Sequence, residues 1–210
     1  MAEAGLAERS RIAADGTGTR ERILDCAANL YSRHGYGEGS VRNIAAAIGI
    51  RGPSLYHHFA SKEEITLELF RIAAHTASAE LDAVTARAAE MDGEALLDAA
   101  IAAHLRALFH PRRYLSALLR IYREVPQELR AEATRELTPY LRAWMRILNR
   151  VGGKGRRNSA VTEIQVFFVF GAINSIEEWH YGHRAERFSL DDLRDILRNM
   201  LLHGFASGRG

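Results

Sequence analysis

Apolar positions along this chain recur at helical spacing in segment after segment, and no sustained alternation of β-branched and polar residues marks a strand. Ile23, Ala27, Leu30 and Tyr31 fall at i, i+4, i+7 and i+8 and predict a first helix beginning after Thr19, a residue suited to cap it. The glycines of "HGYGEG" end that helix, being suited to positive φ. Ser40 can cap a short second helix with Val41, Ile44, Ala45 and Ile48 on its buried face, and Gly49 closes it. A third, very short helix is expected from about Gly52 to His58. "SKEE", Ser61 to Glu64, has the form of a capping box, in which the serine accepts from the N3 amide and the glutamate reaches back. It opens a long helix carrying Ile65, Leu69, Ile72, Ala73, Leu81 and Val84. Further helices are expected from about Glu94 to Phe109, Tyr114 to Glu124 and Gln127 to Val151, the last containing Pro139, which must kink or divide it. Two more are expected, from Val161 to Tyr181 and from the capping sequence "SLDD" at Ser189 to about Phe205. The pattern predicts an all-α fold.

The first three helices lie within some forty residues, and the second and third are joined by a tight turn at Gly49, which is helix-turn-helix geometry. Ala45 is small where two helices must approach closely, and Leu55 is apolar where the third helix faces the core. That leaves Arg51, Ser54, Tyr56 and His57 facing outward, with Arg42 on the preceding helix. The formal net charge of the whole chain is only +2. Residues 19–62, however, hold six cationic against three acidic side chains, so the rest of the chain is close to neutral. A local positive excess of this kind fits a surface that docks on phosphates.

At this point the residues carry a family likeness. "TRERILDCAANLYSRHGYGEGSVRNIAAAIGIRGPSLYHHFASKEEI", residues 19–65, resembles the DNA-binding domain of the TetR/AcrR family of bacterial transcriptional regulators. The resemblance implies an N-terminal helix-turn-helix domain at 19–62, preceded by an arm at 1–18 with Arg9 and Arg11 that reads as mobile. It is followed at 63–210 by a helical ligand-binding and dimerisation domain. It further implies that Ser40 and Arg42 touch phosphates or base edges, and that Arg51, Ser54, Tyr56 and His57 are the contacts of the recognition helix. Lys62 would pair with a phosphate at the start of the fourth helix. His58 and Phe59 are expected to pack the third helix against the first and fourth. Two positions depart from the family pattern: Arg51 stands where a small hydroxyl residue is usual, and Pro53 where a glycine is usual. Pro53 is tolerable in a first helical turn, and Arg51 exchanges a cap for a guanidinium able to grip guanine or phosphate.

In the later part, Val161, Ile164, Phe168, Ile173, Ile176 and Trp179 make one helix apolar over too wide an arc for a surface helix. The family likeness implies a homodimer joined through this helix and the last, so Ile164, Phe168, Ile173, Ile176 and Trp179 are the expected interface. His104, Arg120, Tyr122, Glu124 and Trp144 are polar or aromatic positions on otherwise apolar stretches and are the candidates for an effector pocket. The run "EEWHYGHRAERFSLDDLRDIL" resembles the tail of a family subset, several of which answer to acyl-CoA thioesters. The expected function is therefore a ligand-responsive repressor on palindromic double-stranded operator DNA. The alternatives are a ligand-independent regulator or activator and, more distantly, a helical metalloenzyme.

Composition changes this picture little. The chain is 47% hydrophobic and 26% charged, within the ordinary range for a globular protein. Its one cysteine, Cys26, sits in an apolar helical pattern, so no disulfide can form within the chain and a reducing cytoplasm is the expected setting. No apolar run is long enough to span a bilayer, so no membrane partner is expected. "GGKGRRNS", residues 152–159, is basic and glycine-rich but lacks the spacing of a phosphate-binding loop. Glu177-x-x-His180 suggests a carboxylate-bridged di-metal site, but no other histidine has a glutamate three residues before it. Glu177, Glu178, His180 and His183 stay open as a zinc set, while no serine or cysteine sits in a nucleophile motif. No catalysis, metal or cofactor is expected.

Overall fold

A computed structural model describes residues 18–151, 159–180 and 187–203, the side chains of 159–162 excepted. The described residues form nine α-helices, one short 3-10 turn at Ala88–Glu90, and no strand. They are α1 (Thr19–His34), α2 (Val41–Ile48), α3 (Gly52–Tyr56), α4 (Lys62–Thr85), α5 (Gly93–Leu108), α6 (Tyr114–Ile121), α7 (Gln127–Val151), α8 (Ser159–Trp179) and α9 (Leu190–His203). The arm at 1–17, the basic loop at 152–158, His183 and the end of the last helix near Phe205 lie outside the described residues, as does the side chain of Val161.

Local chemistry accounts for most boundaries. Ser40 caps α2 by accepting from the Asn43 amide at 3.1 Å. Asp92 caps α5 through the Ala95 amide at 2.8 Å. Ser189 caps α9 through the Asp192 amide at 3.1 Å, while the Asp192 carboxylate returns to the Ser189 amide at 2.8 Å. At the head of α4, Ser61 accepts from the Glu64 amide at 3.2 Å, and Glu64 reaches back to the amide of Ala60 at 2.6 Å, one residue further than a standard box. Thr19 is not a cap: α1 starts at Thr19 itself, after Gly18, whose carbonyl accepts from Arg22 at 3.1 Å. α7 is not divided by Pro139, which is exposed and inside a continuous helix.

The chain forms two compact units. The first comprises the described residues through Ile72 together with Pro111–Ala133, a stretch that lies in the expected ligand-binding part at 63–210. α6 packs along α1, and Ile23, Ala27, Tyr31, Ile44, Leu55, Phe59, Leu69 and Leu118 are fully or almost fully buried there. Tyr31 donates to or accepts from the Thr66 hydroxyl at 3.0 Å, and a Cβ on Gly39 would stand 1.9 Å from its ring, so only glycine fits beside it. The second unit holds Ala73–His110 and the described residues from Thr134 onward, with α5 packed against α8 and α9. Its core includes Leu81, Leu97, Ile101, Trp144, Ile147, Ile173 and Leu197.

Candidate functional site

The first unit builds a two-helix reading element around one glycine. α2 ends at Gly49, whose φ of 76° and ψ of 28° lie in the left-handed region that favours glycine. The Gly49 and Ile50 amides return to the carbonyls of Ala46 and Ala45, which sets where the chain re-enters helix at Gly52. α3 is only five residues long, begins after Arg51 without a side-chain cap and carries Pro53 in its first turn. Leu55 and Phe59, four residues apart, are buried and pin it. Arg51, Ser54, Tyr56 and His57 are all exposed; Tyr56, at 55%, is unusually open for so large a side chain. Arg42 on α2 is exposed as well.

His58 departs from expectation. α3 stops at Tyr56, the following turn swings His58 into solvent, and only Phe59 packs inward. The His58 carbonyl instead accepts from the Arg20 guanidinium at 3.0 Å, which stacks on the Phe59 ring at 4.1 Å and pairs with Glu68 at 3.3 Å.

The positive charges of this region divide into two sets. Arg20 is used as just described, and Arg22 caps the end of α2 by donating to the Ile48 carbonyl at 3.0 Å. Lys62 folds back: its ammonium donates to the Tyr36 carbonyl and lies 3.6 Å from the centre of the Tyr36 ring. Partial burial holds its pKa below the usual lysine value, against the pull of Glu63 and Glu124. Half-buried, Lys62 thus fastens the turn after α1 to the head of α4. Ser40 likewise has its hydroxyl engaged at the α2 cap. Arg33, Arg42 and Arg51 form the second set, with no ion-pair or hydrogen-bond partner among the described residues.

The five candidate pocket residues are split between the units. Arg120, Tyr122 and Glu124 belong to the first. There the Glu124 carboxylate accepts from Arg120 and from the Tyr36 amide, the latter at 2.6 Å, so it ties α6 to the turn after α1. A Cβ on Gly35, whose φ is 82°, would stand 2.7 Å from the same carboxylate. His104 and Trp144 do meet, in the core of the second unit, with ring centres 6.2 Å apart. His104 is also bound by Tyr140 Oη at 2.7 Å and Asn174 Oδ1 at 2.8 Å, and it packs on Phe170. Burial pushes its pKa down to about 4, so the ring is neutral near pH 7. The Asn174 carbonyl oxygen can only accept, so Nε2 carries the proton and Nδ1 accepts from the Tyr140 hydroxyl. Sequence reasoning missed Tyr140 and Asn174, although Asn174 is a polar residue set among Ala172, Ile173 and Ile176.

The expected interface also needs correction. Ile173 and Ile176 are 0% and 2% exposed and belong to the core of their own unit, so they are not available to a partner. Ile164 and Phe168 are 55% and 74% exposed, and Trp179 is also open. Phe167 on α8, and Ile196 and Met200 on α9, are exposed apolar residues that were not anticipated. Among the described residues no three histidine, cysteine or acidic side chains converge as a metal site. His180 of the zinc set packs edge-on against Phe109, and His183 lies outside the described residues. No described helix is long and apolar enough to cross a membrane.

Residues 23–69 match the family model for bacterial regulatory proteins of the tetR family, and residues 90–205 match that for the tetracyclin repressor-like C-terminal domain. The chain belongs to the TetR family. It is a regulator with an N-terminal helix-turn-helix and a helical C-terminal domain. Among curated TetR-family proteins it is similar to the HTH-type transcriptional repressor KstR2 of Mycobacterium tuberculosis, 44% identical over 61 residues, 29% of this chain and 30% of that one. It is similar also to KstR2 of Rhodococcus jostii, 47% identical over 55 residues, 26% of this chain and 27% of that one. Both matches span less than a third of the relatives' length. The TetR-family regulator PfmR from Thermus thermophilus superimposes with a TM-score of 0.72 at 26% identity, covering 91% of this chain and 100% of that one. The ketosteroid regulator KstR2 of M. tuberculosis gives a TM-score of 0.74 at 21% identity, covering 90% and 95%, a likeness of fold alone.

Proposed function

We propose that this TetR-family chain is a homodimeric repressor that reads a two-fold operator through α3 and lets go when a small effector binds its second unit. The observation that carries the reading is the face of α3. Four polar or aromatic side chains, Arg51, Ser54, Tyr56 and His57, stand open on a helix pinned by Leu55 and Phe59, beside the unpartnered Arg42. Such a helix supplies donors, acceptors and an aromatic edge to a major groove, with phosphate contacts setting its register. Arg51, unusual for the family, gives it the bidentate group best matched to guanine. Ser40 acts by capping α2, and Lys62 by fastening the turn after α1.

The exposed apolar stripe Ile164, Phe167, Phe168 and Trp179 supports the two-fold part of the reading, because an apolar surface this open marks a contact face. A dimer places two recognition helices about 34–36 Å apart, one turn of the duplex. An effector that changes that spacing weakens DNA binding, and by linkage DNA weakens effector binding by the same factor. The experiment is to select bound fragments from genomic DNA and titrate the recovered palindrome. Tyr56→Ala should lower affinity about tenfold or more, the scale of one lost base or phosphate contact, with an unchanged melting temperature. Wild-type affinity in that variant would remove α3 from the contact surface, and recovery of no palindrome would remove the two-fold operator.

A further inference from the structure

The second unit contains a cleft of about 260 Å³ lined by Ser78 and Asp82 from α4 and by Tyr140, Arg142 and Arg146 from α7. Arg142 and Arg146 are one helical turn apart and both reach the same space. Other arginines of this unit are engaged: Arg106 with Glu80, Arg150 with the Met91 carbonyl, and Arg194 and Arg198 with Asp98. Arg142 and Arg146 have no ion-pair or hydrogen-bond partner among the described residues. Two guanidiniums lining one cleft repel each other, and an anion placed between them relieves that repulsion with bidentate hydrogen bonds. Asp82 lines the same cleft as the one carboxylate, also without a side-chain partner among the described residues. It leaves the cleft net positive and adds an acceptor that a bare anion without a hydroxyl, such as sulfate, cannot use.

We propose that this cleft binds a small organic oxyanion, a phosphate or carboxylate carrying a hydroxyl or amino group. Arg142 and Arg146 take the oxyanion, and Asp82 accepts from the donor. The volume lies below the roughly 300–1,000 Å³ usual for drug-sized ligands, which favours a compact polar metabolite over a long acyl chain. Tyr140 connects the cleft to the rest of the unit. It lines the cleft, its hydroxyl donates to His104, and His104 donates to Asn174 on α8, the helix with the open apolar stripe. Occupancy therefore bears on a hydrogen-bonded path that ends on the proposed dimer helix. Only this regulatory role rests on the repressor reading; binding itself does not.

The test is calorimetric titration of the full chain, without DNA, in a buffer free of phosphate and carboxylate. The probes are glycerol 3-phosphate and malate as the two oxyanion classes, sulfate as the bare anion without a donor, and glycerol as the uncharged control. The expected result is saturable binding of at least one organic anion, tighter than sulfate, with no heat from glycerol. Arg142→Ala/Arg146→Ala should weaken it at least tenfold, and Asp82→Asn should reduce the preference over sulfate. Both arginines are exposed, so the double variant should melt like the wild type; the single Arg142→Gln serves if it does not. No binding of either organic anion, unchanged binding in the arginine variants, or equal affinity for sulfate would each overturn the proposal. Operator affinity measured separately distinguishes the failures: normal anion binding without any operator sinks the repressor reading and leaves the cleft.

Discussion

His104 is a titratable ring buried away from solvent, and that makes it a pH-dependent element of stability. It is buried among Tyr140, Trp144, Phe170 and Asn174, none of which carries a charge near neutral pH, and burial also pushes the Tyr140 phenol up. In the unfolded chain the ring takes up a proton near its ordinary value of 6.5, but in the folded protein only near 4. The unfolded state therefore binds more protons between these values, and stability contributed by the neutral ring is complete above about 6.5 and is lost as pH falls towards 4. The full loss is on the order of 3 kcal/mol. Urea unfolding at pH 7 and pH 4.5 should show this as a difference between wild type and His104→Gln, which keeps hydrogen-bonding capacity without titrating in that window. Parallel pH dependences would show that the ring is not buried neutral. Nothing in the sequence around His104 announces this role, since its partners lie 36 and 70 residues away.

Helices are where the sequence was most readable, because their ends are local events. Ser40, Ser61 and Ser189 were identifiable as caps from their neighbours alone, and each accepts from the amide three residues on. Cross-chain ties were not readable in the same way. Glu124 was a pocket candidate on residue type, yet it accepts from the Tyr36 amide 88 residues away and fills the space that glycine leaves at position 35. Lys62 was a phosphate candidate from family position, yet the Tyr36 ring and carbonyl hold it. Glu124→Ala should cost about 1 kcal/mol, a partly exposed hydrogen bond to a charged acceptor, and should speed hydrogen exchange at the Tyr36 amide relative to other amides of the turn. If Tyr36 exchange stays at its wild-type rate, the carboxylate is not what holds that turn.

At the scale of the whole molecule, α8 shows what periodicity can and cannot decide. A helix apolar over so wide an arc does not single out one buried face in its sequence, so Ile164 and Ile173 look alike until the fold is known. The structure separates them: Ile173 and Ile176 face α8's own unit, while Ile164, Phe167 and Phe168 face out. That separation gives two variants with opposite signatures. Ile173→Ala opens a cavity in the core and should cost about 2–5 kcal/mol in urea unfolding, with the proposed dimer retained wherever the protein remains folded. Phe168→Glu removes an exposed ring and adds a charge, so unfolding of the isolated subunit should change little. Sedimentation should instead show a shift from dimer to monomer, with operator affinity falling together with it, because one recognition helix cannot occupy both half-sites. A Phe168→Glu protein that stays dimeric and binds the operator normally would place the two-fold contact elsewhere on the molecule.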